Sequence, residues 1–223
     1  MLAAVVLTAC SAAPSESPAA PGASTAPVGS SGAIGTGGPG GPGGPGIEAA
    51  TTLLNAATLA DPGSLDALEG IRFTQTGTAA AASVITAGAS GDALWAATYV
   101  YASAAGSASD PAPLLAVAEN AAASPSTRAM AGAGLLAAGR SEGFEPLVAA
   151  LGSPAAMDGS EPRTTTWEFA ASVLERYTAA GFPEPANGDE AERTALASQW
   201  TAWLATNASH LRFDPATQLW VAA

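Results

Sequence analysis

From Ile47 onward, apolar positions recur at helical spacing. Leu94, Trp95, Thr98, Tyr101, Ala102 and Ala105 fall at i, i+1, i+4, i+7, i+8 and i+11, which places them on one mainly apolar helix face. Trp167, Ala170, Ala171, Leu174 and Tyr177 repeat the pattern, and Leu196, Trp200, Trp203 and Leu204 do so again. Start signals agree with the periodicity. Asp110-Pro111 and Ser124-Pro125 each offer a capping side chain followed by proline at the first helical position. Asp189 with Glu192 reads as a capping box. Gly106, Gly139 and Gly181 fall where helices should stop.

The helices come in pairs. Leu94–Ala105 is followed by a turn and then by Pro113-Leu114-Leu115-Ala116-Val117-Ala118; Arg128–Ala138 is followed by Gly139 and then by Pro146-Leu147-Val148-Ala149-Ala150-Leu151. The second members superpose at a period of 33 residues, the spacing that also separates Gly106 from Gly139. A helical pair recurring at such a period predicts an α-solenoid. The unit Ser126-Thr127-Arg128-Ala129-Met130 to Gly139, then Phe144-Glu145-Pro146-Leu147-Val148-Ala149-Ala150-Leu151, resembles the HEAT-like repeat family of bacterial proteins. The ending Trp200-x-x-Trp203-x-x-x-Asn207-x-x-x-Leu211-x-Phe213-Asp214 is also similar to endings found there. The resemblance runs over residues 64–215, with Ala or Gly at many positions where the family has larger apolar residues and an insertion near Ser153–Thr166. It implies a short all-α solenoid; an irregular helical bundle is the alternative fold.

Before Ile47 the pattern is different. Ser11 to Gly46 is almost entirely Ala, Ser, Gly, Pro and Thr and ends in a Gly-Gly-Pro run, which cannot bury enough apolar area to offset its ordering entropy. As a coil these 36 residues span roughly 30–35 Å. Ahead of them, the apolar run Leu2 to Leu7 leads into Leu7-Thr8-Ala9-Cys10. This stretch resembles the bacterial lipobox, a branched apolar residue, two small residues and a cysteine. The resemblance implies diacylglycerylation of Cys10, cleavage after Ala9 and acylation of the new amino group. Two or more acyl chains give stable anchoring where one gives only marginal binding. No Lys or Arg precedes Cys10, so a basic n-region is expected upstream of Met1. The expected organisation is a signal peptide at 1–9, a lipidated cysteine and tether at 10–46, and a helical domain at 47–223.

Composition sharpens this picture. Apolar residues make up 48% of the chain but aromatics only 6%, so most of the apolar content is helix-favouring alanine and the few Leu, Trp, Tyr and Phe must carry the core. The net charge is −12, and all seven basic residues are scattered arginines. Nucleic-acid binding needs a basic stripe, so no nucleic-acid partner is expected. The single cysteine allows no internal disulfide.

Candidate chemistry is sparse. His210 is the only histidine, and although Ser209 and Asp214 lie near it, sequence adjacency supplies neither the convergence of a triad nor an oxyanion hole. Glu184, Asp189, Glu190 and Glu192 form the densest acidic patch and the one conceivable calcium site, but without EF-hand spacing. No cofactor motif is present. The expectation is a non-enzymatic lipoprotein on the extracytoplasmic face of the cell membrane, held there by its lipid anchor, with a helical scaffold that engages an envelope protein or cell-wall component. The alternative is a small-ligand-binding or enzyme-accessory lipoprotein with a pocket between helices. Trp95, Tyr99, Trp200 and Trp203 are the residues that would be core in the first reading and binding surface in the second.

Overall fold

The computed structural model describes residues 46–106, 109–159, 164–182, 185 and 187–222. The stretch expected to be a lipobox, with Cys10, and the expected tether as far as Pro45 lie outside the described residues. The domain is all-α with one small C-terminal hairpin: α1 Ile47–Ala56, α2 Pro62–Glu69, α3 Gln75–Thr86, α4 Gly91–Ser103, α5 Ala112–Ala118, α6 Pro125–Ala137, α7 Phe144–Ala150, α8 Thr166–Thr178 and α9 Glu190–Asn207, then strands β1 Leu211–Asp214 and β2 Leu219–Ala222. A single 3₁₀ turn, Ser141–Gly143, leads into α7. Among the described residues, no helix is long and apolar enough to cross a membrane.

The helices pack stepwise along the chain. The series runs α1 on α3, α3 on α4, α4 on α6 and α6 on α8, while α5 packs against α6, α7 against both α6 and α8, and α9 against α7. Helices α4 and α6 are both 13 residues long, and α5 and α7 are both 7. The core divides at α6. Met130, Ala131 and Leu135 join the cluster built on Leu54, Leu68, Trp95 and Leu114. Ala129, Ala133 and Leu136 join the one built on Leu147, Leu174, Trp200 and Trp220.

Helix α6 therefore serves two cores, and its sequence shows how. From Ser126 to Leu136 nearly every residue is buried. Its two glycines work in opposite directions. A Cβ on Gly134 would stand 2.7 Å from Leu114 Cδ1 and 2.9 Å from the Ala102 Cβ, so this position lets α4 and α5 approach. A Cβ on Gly132 would stand 2.9 Å from the Gly143 carbonyl oxygen, so that position admits the turn before α7. Each glycine costs about 1 kcal/mol of helix propensity. Close helix approach and the dispersion contacts it brings offset that cost. The Ala and Gly that stand where larger residues were expected are thus the means by which these helices come together.

Local signals place the helix ends. Ser124 caps α6, accepting a hydrogen bond from the Thr127 N–H at 3.1 Å, with Pro125 at the first helical position. Asp189 caps α9 through the Glu192 N–H at 2.9 Å, but the Glu192 carboxylate accepts from the Asn187 N–H, so only half of the expected capping box forms. Helix α5 begins at Ala112, with Pro111 already in right-handed backbone, and the Asp110 carboxylate accepts from the Ala112 N–H at 3.0 Å. Gly139 adopts left-handed backbone, at φ 73°, just past the end of α6, whereas α8 is ended by left-handed Ala179 at φ 51°, two residues before Gly181. Helix α4 already stops at Ser103, with right-handed Ala104 as its cap, so Gly106 does not make the stop.

The hairpin is the departure from a purely helical domain. Its strands pair Leu211 with Ala222, Arg212 with Val221, Phe213 with Trp220 and Asp214 with Leu219. An isolated two-stranded hairpin is marginal in water. This one is held by its docking: β2 packs on α8, and Trp220 is buried with its ring 5.5 Å from both Phe144 and Phe213.

Candidate functional site

The surface between α7 and α9 carries an open groove of about 550 Å³, lined by Val148 and Ala149 of α7, Gly152, and Thr194, Ala197, Ser198, Thr201 and Ala202 of α9. On α9 these residues follow i, i+3, i+4, i+7, i+8, so one stripe of small side chains faces outward while Leu196 and Trp200 face the core. The groove continues past Ala149 and Gly152 into a smaller hollow of about 260 Å³, whose other walls are Pro125, Arg128, Pro146, Ala150 and Ser153. The two hollows form one surface.

Among the described residues that line this surface, Arg128 alone is charged. It projects from the first turn and a half of α6 and is half-buried. Its Nε is buried without a hydrogen-bond partner, and among the described residues no ion pair or hydrogen bond engages its guanidinium. The contrast with other arginines is informative. Arg72 pairs with Glu69 at 3.0 Å and Arg140 with Glu142 at 2.6 Å. Arg193 donates to the Gly188 carbonyl, and Arg212 to the Leu211 carbonyl at 2.8 Å. Arg72 and Arg193 also bury an unpartnered Nε, but each engages a partner through another guanidinium nitrogen. Arg128, half-buried in a chain of net charge −12, has no such bond among the described residues, and its Nε is a buried unsatisfied donor. Sequence reasoning passed over Arg128. A signal for it did exist: no Asp or Glu stands three or four positions to either side, so no helical ion pair is available to it.

The residues singled out in the sequence lie elsewhere. Trp95 is buried in α4 and stacks on the half-buried Tyr99, with ring centroids 5.3 Å apart and an interplanar angle of 5°. The far edge of Trp95 is covered by Gly159, where left-handed backbone (φ 71°) and a Cβ position 2.4 Å from Trp95 Cζ2 both demand glycine. Neither of the two hollows contains Trp95 or Tyr99. Trp200 is 1% exposed and Trp203 half-buried. They belong to an aromatic chain in which Phe182 packs on Trp200 at 4.9 Å, Trp200 on Trp203 at 5.5 Å, and Trp203 on Phe144 at 6.5 Å. Trp220, which the periodicity did not mark, extends this chain.

Ser209 and His210 are exposed, and Asp214 is taken up by the hairpin turn. Its carboxylate accepts from the Ala216 N–H at 2.9 Å and the Thr217 hydroxyl at 2.8 Å, and these bonds hold its pKa below the ordinary value. Of the acidic patch, Glu184 lies outside the described residues, Asp189 and Glu192 make the helix-start bonds given above, and Glu190 is exposed. Met157 to Gly159, within the insertion, is tied to α6 through Asp158, which accepts from the Ser124 hydroxyl at 2.9 Å and from the Ser126 hydroxyl. Compared with known protein families, curated proteins and solved structures, the chain matches none.

The Tyr99 hydroxyl accepts from Arg72 and donates to Glu69. Its pKa is pushed up to about 12, first by burial and then by the bond to Glu69, with the Arg72 charge opposing. Tyr101 and Tyr177 are also raised by burial. The neutral phenol is the form the folded state favours. Its stabilising contribution is therefore complete below the ordinary value of 10 and is lost as pH climbs toward about 12. In a spectroscopic titration, the tyrosinate band of the folded protein should rise at higher pH than that of the urea-unfolded chain, which titrates near 10. Tyr99→Phe should flatten part of the alkaline stability loss. A folded-state midpoint at 10 for all three tyrosines would contradict the packing described.

Proposed function

We propose that the chain is a non-enzymatic lipoprotein, anchored through Cys10 at the extracytoplasmic face of a bacterial membrane, whose helical domain is a short HEAT-like solenoid that holds a protein of the cell envelope. The observation that carries the scaffold reading is the continuous surface formed by the α7–α9 groove and the Arg128 hollow. Stepwise packing supports it as well, since helices that bury themselves mainly against their chain neighbours leave extended outer surfaces for binding. The anchor reading rests on Leu7-Thr8-Ala9-Cys10 and on the Pro/Gly/Ser composition that follows, a tether long enough to hold the domain clear of the lipid surface.

Each half has its own test. Wild-type protein is expected to fractionate with membranes and to incorporate a labelled fatty acid. Cys10→Ala should stay unlabelled and either leave the membrane fraction or accumulate as precursor. A variant that labels and fractionates like wild type would sink the anchor reading. For the scaffold, a photo-crosslinking residue at Ser198, in the groove, should capture one envelope protein. The same probe at exposed Thr52 on α1 should not capture it, and Ala202→Trp, which fills the groove, should abolish the product. Equal capture from both positions would overturn the groove as the docking surface.

A further inference from the structure

We propose that the Arg128 hollow receives a carboxylate carried by the partner polypeptide, with the adjoining α7–α9 groove taking the segment next to it; this rests on the scaffold reading and names the chemistry of its partner. The argument begins with the unsatisfied guanidinium. Arginine presents a planar fork that matches a carboxylate, and a half-buried fork without a partner has already lost part of its hydration. The hollow around it is walled by Pro125, Pro146, Ala149, Ala150, Gly152 and Ser153, none of which carries charge. Its volume of about 260 Å³ is below that of pockets for drug-sized molecules and suits the end of a side chain or of a peptide.

Charge selects between anions. The site offers one positive charge, on a domain rich in carboxylates. A monovalent carboxylate is neutralised by Arg128, whereas a phosphate dianion would leave a charge uncompensated in a negative field. The groove selects a polypeptide. Small residues along α9 and at Ala149 and Gly152 leave room for a backbone to lie close; the Ser198 and Thr201 hydroxyls donate to the Thr194 and Ala197 carbonyls and keep lone pairs that can accept from its N–H groups.

The test is a titration of the full chain, followed at the Arg128 Nε–H resonance by nuclear magnetic resonance. Two probes carry a carboxylate: acetyl-Ala-Ala-Ala with a free C-terminus, and acetyl-Ala-Glu-Ala-amide. At least one is expected to shift that resonance saturably, while acetyl-Ala-Ala-Ala-amide does not. Arg128→Gln should weaken the binding of that probe about ten- to a hundredfold, the loss expected for a charge-assisted hydrogen bond, as read from groove amide shifts. Arg128→Lys should retain part of it. An unchanged amide spectrum outside the groove establishes that each variant is folded. If neither carboxylate probe perturbs Arg128, if the amide peptide binds equally well, or if inorganic phosphate binds better than both, the proposal is wrong. Groove-specific crosslinking at Ser198 with no carboxylate response would leave the scaffold standing and remove only this inference.

Discussion

Trp200→Ala is expected to lower the stability of the domain by about 3–5 kcal/mol, the range for emptying a buried tryptophan site. For a domain of this length that corresponds to a fall of roughly 6–20 °C in Tm. The size follows from position. Trp200 is 1% exposed and stands between Phe182 and Trp203, at the point where α9 covers the second core cluster. Its neighbours Phe182 and Trp203 are rigid rings, poorly able to collapse into the space left behind, so the cavity term should be near its full value. Trp203→Ala, at a half-buried ring, should cost less. Trp220→Ala should resemble Trp200→Ala and should also release the hairpin, because little else holds a two-stranded ribbon. Thermal and urea denaturation of the three variants decide the matter. Wild-type stability in Trp200→Ala would mean that the ring does not close this end of the domain.

Gly143→Ala should destabilise by about 1–3 kcal/mol although it only adds a methyl group. The backbone at Gly143 is compatible with alanine, with φ −69°, so conformational strain does not enter. Space is the difficulty. The new Cβ would lie 2.4 Å from the Gly132 carbonyl oxygen and 3.0 Å from Leu135 Cβ and Leu136 Cγ. A helix carbonyl cannot turn aside as a flexible side chain can, so α6 and the turn before α7 must separate. Both faces of α6 are committed, and the displacement should reach the α4 and α5 contacts made through Gly134. Gly152→Ala is the control. Its Cβ would meet nothing closer than the Ala149 carbonyl oxygen at 3.8 Å, and the change should be neutral or slightly stabilising. Urea midpoints for the pair separate a crowded contact from a general intolerance of alanine. Equal midpoints for Gly143→Ala and wild type would refute the close approach.

Local chemistry made much of the fold legible. Ser124-Pro125 and Asp189 each provide an N-cap from their own residues, and the spacing of Trp167, Ala170, Ala171, Leu174 and Tyr177 can be buried only as a helix face. The Arg128 hollow was not legible in the same way. Its walls come from α6, α7 and the loop after α7, and a lone arginine reveals the lack of a counter-charge only when all its neighbours in space are known.

The amino-acid sequence by itself determined a mainly helical domain after Ile47 and several of its core aromatics, Trp95, Trp167, Tyr177 and Trp200 among them, because side-chain period, capping and helix propensity act within a few residues. Tertiary structure decided the rest. It buried α4 and α6 nearly all round, a state that alanine and glycine permit but that no amphipathic stripe announces. It also turned Leu211–Ala222 into a hairpin, since that segment gains its stability from Phe144 and α8 and has little of its own. Packing further sent the small-residue face of α9 outward and, among the described residues, gave Arg128 no counter-charge. These outcomes depend on which surfaces meet, and that is set by the sum of contacts between distant segments.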